Sequence, residues 1–343
     1  MAQKSIQCSI LSIVVPLYNE QENLAELLRR LTQVLEQIAL PYEIVCVNDG
    51  SSDATLSTLL ALQQTHPEVN LKIISLARNF GKEAAMSAGL DYASGDAVIP
   101  IDADLQDPPE LIGELVEQWQ QGYDVVYAVR RSRQGESWIK KATAKAFYRV
   151  IGQLSKVEIP ANTGDFRLLD RRVVEVLKSM PERTRFMKGL FSWVGFRQTA
   201  VYFDREPRQA GQTSWNYWKL WNFALDGIAS FSQLPLKVWT YVGFVTALVA
   251  FGFALLLIVR TLLLGIDVPG YASIMVAVLL LGGLQLMGMG VIGEYLGRVY
   301  EETKERPLYV IRDLYGFKDE KTPATLLPKG RDLQPQASLE QAM

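Results

Sequence analysis

The stretch Ala97–Glu110, AVIPIDADLQDPPE, decides the fold: four apolar residues, then acids at Asp102 and Asp104, then Pro108 and Pro109. A short apolar run of this kind reads as a buried strand, and the paired prolines mark a helix entry. Acids at i and i+2 share one side of an extended segment. Such a pair fits a hard divalent cation, Mg²⁺ or Mn²⁺, with Gln106 adding a carbonyl oxygen. The same cluster also reads as helix-capping chemistry ahead of Pro108.

Working outward, the strand candidates are Ser12–Val15, Glu43–Val47, Lys72–Leu76, Ala97–Ile101 and Val125–Val129. Between them Glu20–Gln37, Asp53–Gln64, Lys82–Ala93 and Pro109–Gln120 carry helical spacing. This alternation predicts βαβ units in a doubly wound α/β fold. Ligands of such folds bind beyond the carboxyl ends of the strands. The residues there are PLYNE after the first strand and VNDGSSD at the end of the second. Asp49 suits the imide N–H of a pyrimidine and Tyr18 suits stacking, while Asn48-Asp49-Gly50 is equally good turn chemistry. Neither place carries GxxxxGK[ST] or GxGxxG, which disfavours a P-loop kinase or a dinucleotide dehydrogenase.

Composition narrows the chemistry. With 35 Lys+Arg against 37 Asp+Glu the net charge is −2, which argues against a nucleic-acid-binding surface. Cys8 and Cys46 form neither a zinc motif nor a disulfide scaffold, and fit a reducing compartment. The one histidine, His66, lies in the polar stretch QQTHPE, so acid-base work falls to other groups. The amino-terminal residues read as a first strand rather than a signal peptide.

The hydrophobic content, 49%, is concentrated late in the chain. Val238–Val259 and Ala272–Gly293 each hold 22 residues without a charge. About 20 residues suffice to cross a bilayer, so a two-span hairpin is expected. Lys237 precedes it and Arg298, Lys304, Arg306 and Arg312 follow it, which places both termini on the cytoplasmic face of the plasma membrane. Trp138–Leu154 and Ser214–Leu234, rich in aromatics and cations, are expected as interfacial helices. Gly283, Gly290, Gly293 and Gly297 permit close helix approach within the hairpin or in a homo-oligomer. The expected organisation is a catalytic domain over 1–212, an interfacial helix over 213–236, the hairpin over 237–298, and a C-terminal segment with a flexible tail over 299–343.

PLYNE, VNDGSSD, LARNFGKEAAM, DADLQDPPE and NTGDFRLLDR, in this order and followed by the hairpin, resemble the polyisoprenyl-phosphate glycosyltransferases. These are inverting family-2 enzymes of the GT-A fold, and the resemblance, over residues 11 to 312, is strongest to the bactoprenol glucosyltransferases. It implies that Pro16, Tyr18, Glu20 and Asp49 hold the nucleotide and that Asp102, Asp104 and Gln106 bind the metal diphosphate. Asp165 would face the acceptor as base or orienting group. Arg130, Arg131 and Arg133 form a cationic cluster suited to an acceptor phosphate. Arg205 and Arg208 lie in a segment similar to the family's mobile loop, which here reads Gly211-Gln-Thr-Ser214-Trp215 in place of the common GxSK form. The implied reaction moves glucose from UDP-glucose to undecaprenyl phosphate at a lipid bilayer. The alternatives are another donor, such as GDP-mannose or a modified UDP-sugar, or a silent nucleotide-sugar-binding subunit.

Overall fold

The computed structural model describes residues 9–131, 163–180, 182–183, 185, 187–203, 234–264 and 270–317. The first half is β1 (Leu11–Leu17), α1 (Leu24–Ile38), β2 (Tyr42–Asn48), α2 (Thr55–Thr65), β3 (Leu71–Leu76), α3 (Lys82–Tyr92) and β4 (Ala97–Pro100). A short 3₁₀ turn over Pro109–Leu111 leads into α4 (Ile112–Gln120), and β5 (Val125–Arg130) follows. Then come β6 (Thr163–Asp170), α5 (Arg171–Ser179), α6 (Met187–Trp193), β7 (Gln198–Phe203), the long helices α7 (Leu234–Leu264) and α8 (Tyr271–Thr303), and β8 (Ile311–Tyr315).

The strands form one sheet in the order β7-β5-β6-β4-β1-β2-β3-β8. β1 to β4 are parallel as the alternation predicts, but β6 is antiparallel to both β4 and β5, and β8 is antiparallel to β3. The sheet is therefore mixed. Successive side chains alternate between faces, so each strand feeds two cores. Ile13, Val15, Ile44, Cys46, Ile73 and Ile99 pack against α1, α2 and α4. Val14, Val45, Val47, Ile74 and Val98 pack on the other face against α3, α5 and α6.

Local chemistry explains the element ends. In α1 the buried residues Leu24, Leu27, Leu28, Leu31, Val34 and Leu35 follow the helical repeat. Each such side chain contributes roughly 1.5–3 kcal/mol by leaving water. The helix begins at Leu24 rather than Glu20 because Asn19, Glu20 and Gln21 are tied across the sheet edge. Asn19 and Glu20 donate backbone amides to Ser51 Oγ and Thr55 Oγ1, and Gln21 Oε1 accepts from the Ala54 amide. Asp53 accepts from the amide and the hydroxyl of Thr55, capping the start of α2.

The expected interfacial helices and the tail beyond residue 317 lie outside the described residues, as does Cys8. The expected spans are helical within α7 and α8, and Phe244, Phe251, Leu262, Ile274, Leu286 and Met289 are exposed along them. Side chains at several positions of both helices lie outside the description, and among the described residues no helix is long and apolar enough to cross a membrane. The chain returns from α8 to the eight-stranded sheet. Glu302 Oε1 accepts from the Arg183 amide at 2.9 Å, Tyr309 donates to Asp91 at 2.6 Å, and β8 pairs with β3.

Candidate active site

The loops after β1, β2, β3 and β4 meet at the carboxyl edge of the sheet, with the start of β6 beside them. Lys82, the first residue of α3, reaches across this edge. Its ammonium lies 2.6 Å from Asp102 Oδ1 and 2.5 Å from Asp165 Oδ2. Asp102 follows β4 and Asp165 lies near the start of antiparallel β6, so one cation joins two strands that run in opposite directions.

Charge and burial work against each other here. Burial by itself would raise the Asp165 carboxyl, but Lys82, with Lys188 and Arg167 nearby, holds it well below the usual range. Burial would lower Lys82, and the two carboxylates outweigh it and hold the ammonium well above its usual value. Asp165 Oδ1 is buried and makes no hydrogen bond among the described residues, so one oxygen of an ionised carboxylate is left unsatisfied. Next to Lys82, burial and the Asp165 charge push Glu83 up to about 8.

Asp104 is partly buried, and its Oδ1 accepts from the Gln106 amide at 3.2 Å. Leu105 between them is fully buried with φ +58°, a conformation that costs a leucine about 1–3 kcal/mol. The bend keeps Asp102 and Asp104 at the edge while Ala103 and Leu105 enter the core. Among the described residues no three His, Cys, Asp or Glu side chains converge as a ready metal site. The donors present, two carboxylates and the Gln106 carbonyl, fit a hard cation that takes most of its remaining oxygens from phosphate and water.

Asp49 is 3% exposed, and its two oxygens accept from the amides of Phe80 at 2.7 Å and Gly81 at 2.9 Å. Burial raises its carboxyl, and these amides oppose the rise. In this conformation Asp49 holds the loop that carries Lys82. Gly50, at φ +62°, allows that loop in, since the backbone of Arg78 and Asn79 occupies the place a Cβ would take. Tyr18 is exposed at the rim, Pro16 is half-buried in β1, and Glu20 accepts from Asn23 Nδ2 at 2.7 Å.

Comparison with known proteins identifies the family. The description of glycosyl transferase family 2 matches residues 12–178. An "uncharacterized glycosyltransferase" of Synechocystis sp. is 65% identical over 90% of this chain and 96% of its own length. A "prophage bactoprenol glucosyl transferase homolog" of Escherichia coli is 49% identical over 88% and 98%. The "bactoprenol glucosyl transferase" of Shigella phage SfV is 49% identical over the same shares. The chain belongs to glycosyl transferase family 2.

As a family-2 glycosyltransferase with an α/β, GT-A-like domain, the protein brings most of the residues read from its sequence to one edge. Asp49, Asp102 and Asp165 converge there through the loop of Lys82. Arg130, at the end of β5, lies beside them: a guanidinium nitrogen is 3.5 Å from buried Asp107 and next to Gly164, where any Cβ would crowd it at 3.2 Å. Arg131 is exposed, and its amide donates to Phe203 O. Arg133, Arg205 and Arg208 lie outside the described residues. The residue that reading the sequence missed is Lys82. It stands in LARNFGKEAAM, but its partners lie 20 and 83 positions away.

Proposed function

We propose that the protein transfers glucose from UDP-glucose to undecaprenyl phosphate, or a related polyprenyl phosphate, giving the glucosylated lipid phosphate and UDP. The observation that carries this reading is the Asp102–Lys82–Asp165 bridge at the sheet edge, in a chain 49% identical to bactoprenol glucosyl transferases over nearly its whole length. Pro16, Tyr18, Glu20 and Asp49 border the nucleotide, Asp49 acting through the loop it holds.

Asp102, Asp104 and Gln106 would hold Mg²⁺ or Mn²⁺, which would supply Lewis-acid neutralisation of the departing diphosphate. Lys82 adds a fixed positive charge at the same edge. The ionised Asp165, with its free Oδ1, orients the acceptor oxygen against the sugar. A carboxyl held this far down is a weak proton acceptor, and a phosphate monoester, with its second pKa near 6, is already largely ionised at neutral pH. Catalysis is then chiefly positioning and electrostatics.

A lipid acceptor requires the site to stand at a membrane. The charge-free runs within α7 and α8 and their exposed apolar side chains support a hairpin anchored in the plasma membrane, with the catalytic domain and both termini cytoplasmic. The test is transfer of label from UDP-glucose, UDP-galactose and GDP-mannose to undecaprenyl phosphate by the purified chain, with and without EDTA. Organic-phase label from UDP-glucose that EDTA abolishes is expected. No lipid-linked label from any donor would overturn the function, and label from GDP-mannose alone would overturn the donor.

A further inference from the structure

Glu83 is the second residue of α3, directly after the lysine that bridges Asp102 and Asp165. No step of the proposed reaction uses it. Its carboxyl accepts from the amide of Met187 at the start of α6, so it reaches from α3 to the element that carries Lys188. Its Oε2 is buried and, among the described residues, makes no hydrogen bond. Asp165 Oδ1 is in the same condition.

Two carboxyls here draw on one set of cations. Lys82 and Lys188 act on both Asp165 and Glu83, and Arg167 of β6 feels both carboxyls in turn. The division is uneven, because the hydrogen bonds of Lys82 go to Asp102 and Asp165. Asp165 is held ionised, while burial and the Asp165 charge push Glu83 up to about 8. Near neutral pH a neutral acid therefore stands beside an ionised one, which is how two carboxyls settle in one pocket. A second carboxylate in its place would repel Asp165 and compete with it for Lys82 and Lys188. The proton also has a way out, since Glu83 lines a cavity of about 600 Å³. The charged groups around Glu83 are Lys82 on its own helix, Asp165 and Arg167 on β6 and Lys188 on α6, with Arg78, Arg183, Arg185 and Arg306 lining the cavity side.

We propose that Glu83 is a positioning residue for Asp165, an inference that rests on the lipid-phosphate transfer proposed above. With its proton on, Glu83 leaves Lys82 and Lys188 to Asp165 and so keeps the Asp102–Lys82–Asp165 bridge in the form that transfers sugar. With the proton lost, the new carboxylate draws on the same two lysines, the bridge loosens and transfer falls.

The test is kcat for glucose transfer from UDP-glucose to undecaprenyl phosphate between pH 7 and pH 9, in wild type and Glu83→Gln, below the melting transition at each pH. An infrared titration of the protonated carboxyl that Glu83→Gln removes runs in parallel. A group that titrates at about 8 passes from about nine-tenths protonated to about one-tenth over this range, so wild-type kcat is expected to fall about tenfold, with KM for UDP-glucose little changed. Glu83→Gln has the shape of the neutral acid and cannot ionise, and is expected to show no such fall. A merely structural Glu83 would change the rate without changing its pH dependence, so parallel profiles would overturn the proposal. Should Glu83→Gln fail to fold, Lys188→Gln replaces it: loss of a cation that favours the ionised Glu83 moves the alkaline fall to higher pH, and an unmoved fall would overturn the proposal. The infrared titration needs no turnover. A wild-type chain that labels no lipid at any pH, yet loses the Glu83 proton near pH 8, would sink the proposed reaction and leave the proton on Glu83 standing. A proton lost near the ordinary carboxyl value would overturn the part given to Glu83 whatever the transfer shows.

Discussion

Two residues settle how the edge is charged. Lys82 bridges Asp102 and Asp165, so Lys82→Met takes away the cation these two carboxylates share and removes positive charge where diphosphate develops. We expect kcat to fall about 10²-fold or more, with Lys82→Arg recovering part of it, measured as initial rates of lipid labelling. Glu83 gives a pH prediction. Its carboxyl sits at about 8 in the folded chain against 4.5 ordinarily, so between these values the folded state binds more protons than the unfolded state. Its contribution is fully present below about 4.5 and is lost as pH rises through about 8. Asp165, Lys82 and Lys188 face it. Glu83→Gln is expected to flatten the fall in melting temperature between pH 6 and pH 9. An identical fall in both proteins would remove Glu83 as its cause.

At the scale of elements, Glu43 of β2 ties the sheet together. It is 1% exposed, accepts from Ser12 of β1 at 2.5 Å and Ser94 after α3 at 2.6 and 2.8 Å, and pairs with Lys72 of β3 at 2.5 Å. Burial raises its carboxyl, but these donors hold it below the ordinary value. Glu43→Ala strands Lys72 and two hydroxyls, and should cost about 3–5 kcal/mol in denaturant unfolding. The native contribution is present above the unfolded pKa and fades as pH falls through the lower folded value.

These elements also show what was legible in the sequence. β1 to β5 announce themselves as apolar β-branched runs, and the observed bounds differ by only a residue or two at each end. β6 does not, because TGDFRLLD interleaves buried Asp165 and Arg167 with its apolar residues: Asp165 pairs with Lys82, 83 positions away, while Arg167 donates to the carbonyls of Gly164 and Asp165 and lies over the Phe191 ring. β8 owes its pairing to the free edge of β3 rather than to its own pattern. Asp49, Asp102 and Asp104 were legible as residues after strands, and Asp165 only through the resemblance carried by NTGDFRLLDR. Lys82 was not, because its meaning comes from segments that meet only in the folded chain.

At the scale of the whole molecule, the proposed reaction joins a water-soluble donor site to an acceptor that stays in a bilayer. The C-terminal return is the physical link: α8 is fixed to the catalytic domain through Glu302, Tyr309 and β8. We expect the full chain to remain with membranes through alkaline carbonate extraction, and a protease acting from the cytoplasmic side to reach the catalytic domain while sparing the α7–α8 connection. Release into the supernatant would contradict the hairpin.

In the proposed reaction, sugar meets lipid phosphate at the edge that carries Asp165. The most direct measurement is single-turnover transfer of labelled glucose from UDP-glucose to undecaprenyl phosphate by wild type and Asp165→Asn, with UDP-glucose binding measured in parallel. Lipid-linked label is expected in the wild type, and retained binding with no more than trace label in Asp165→Asn. Lipid labelling by Asp165→Asn at the wild-type rate would contradict it.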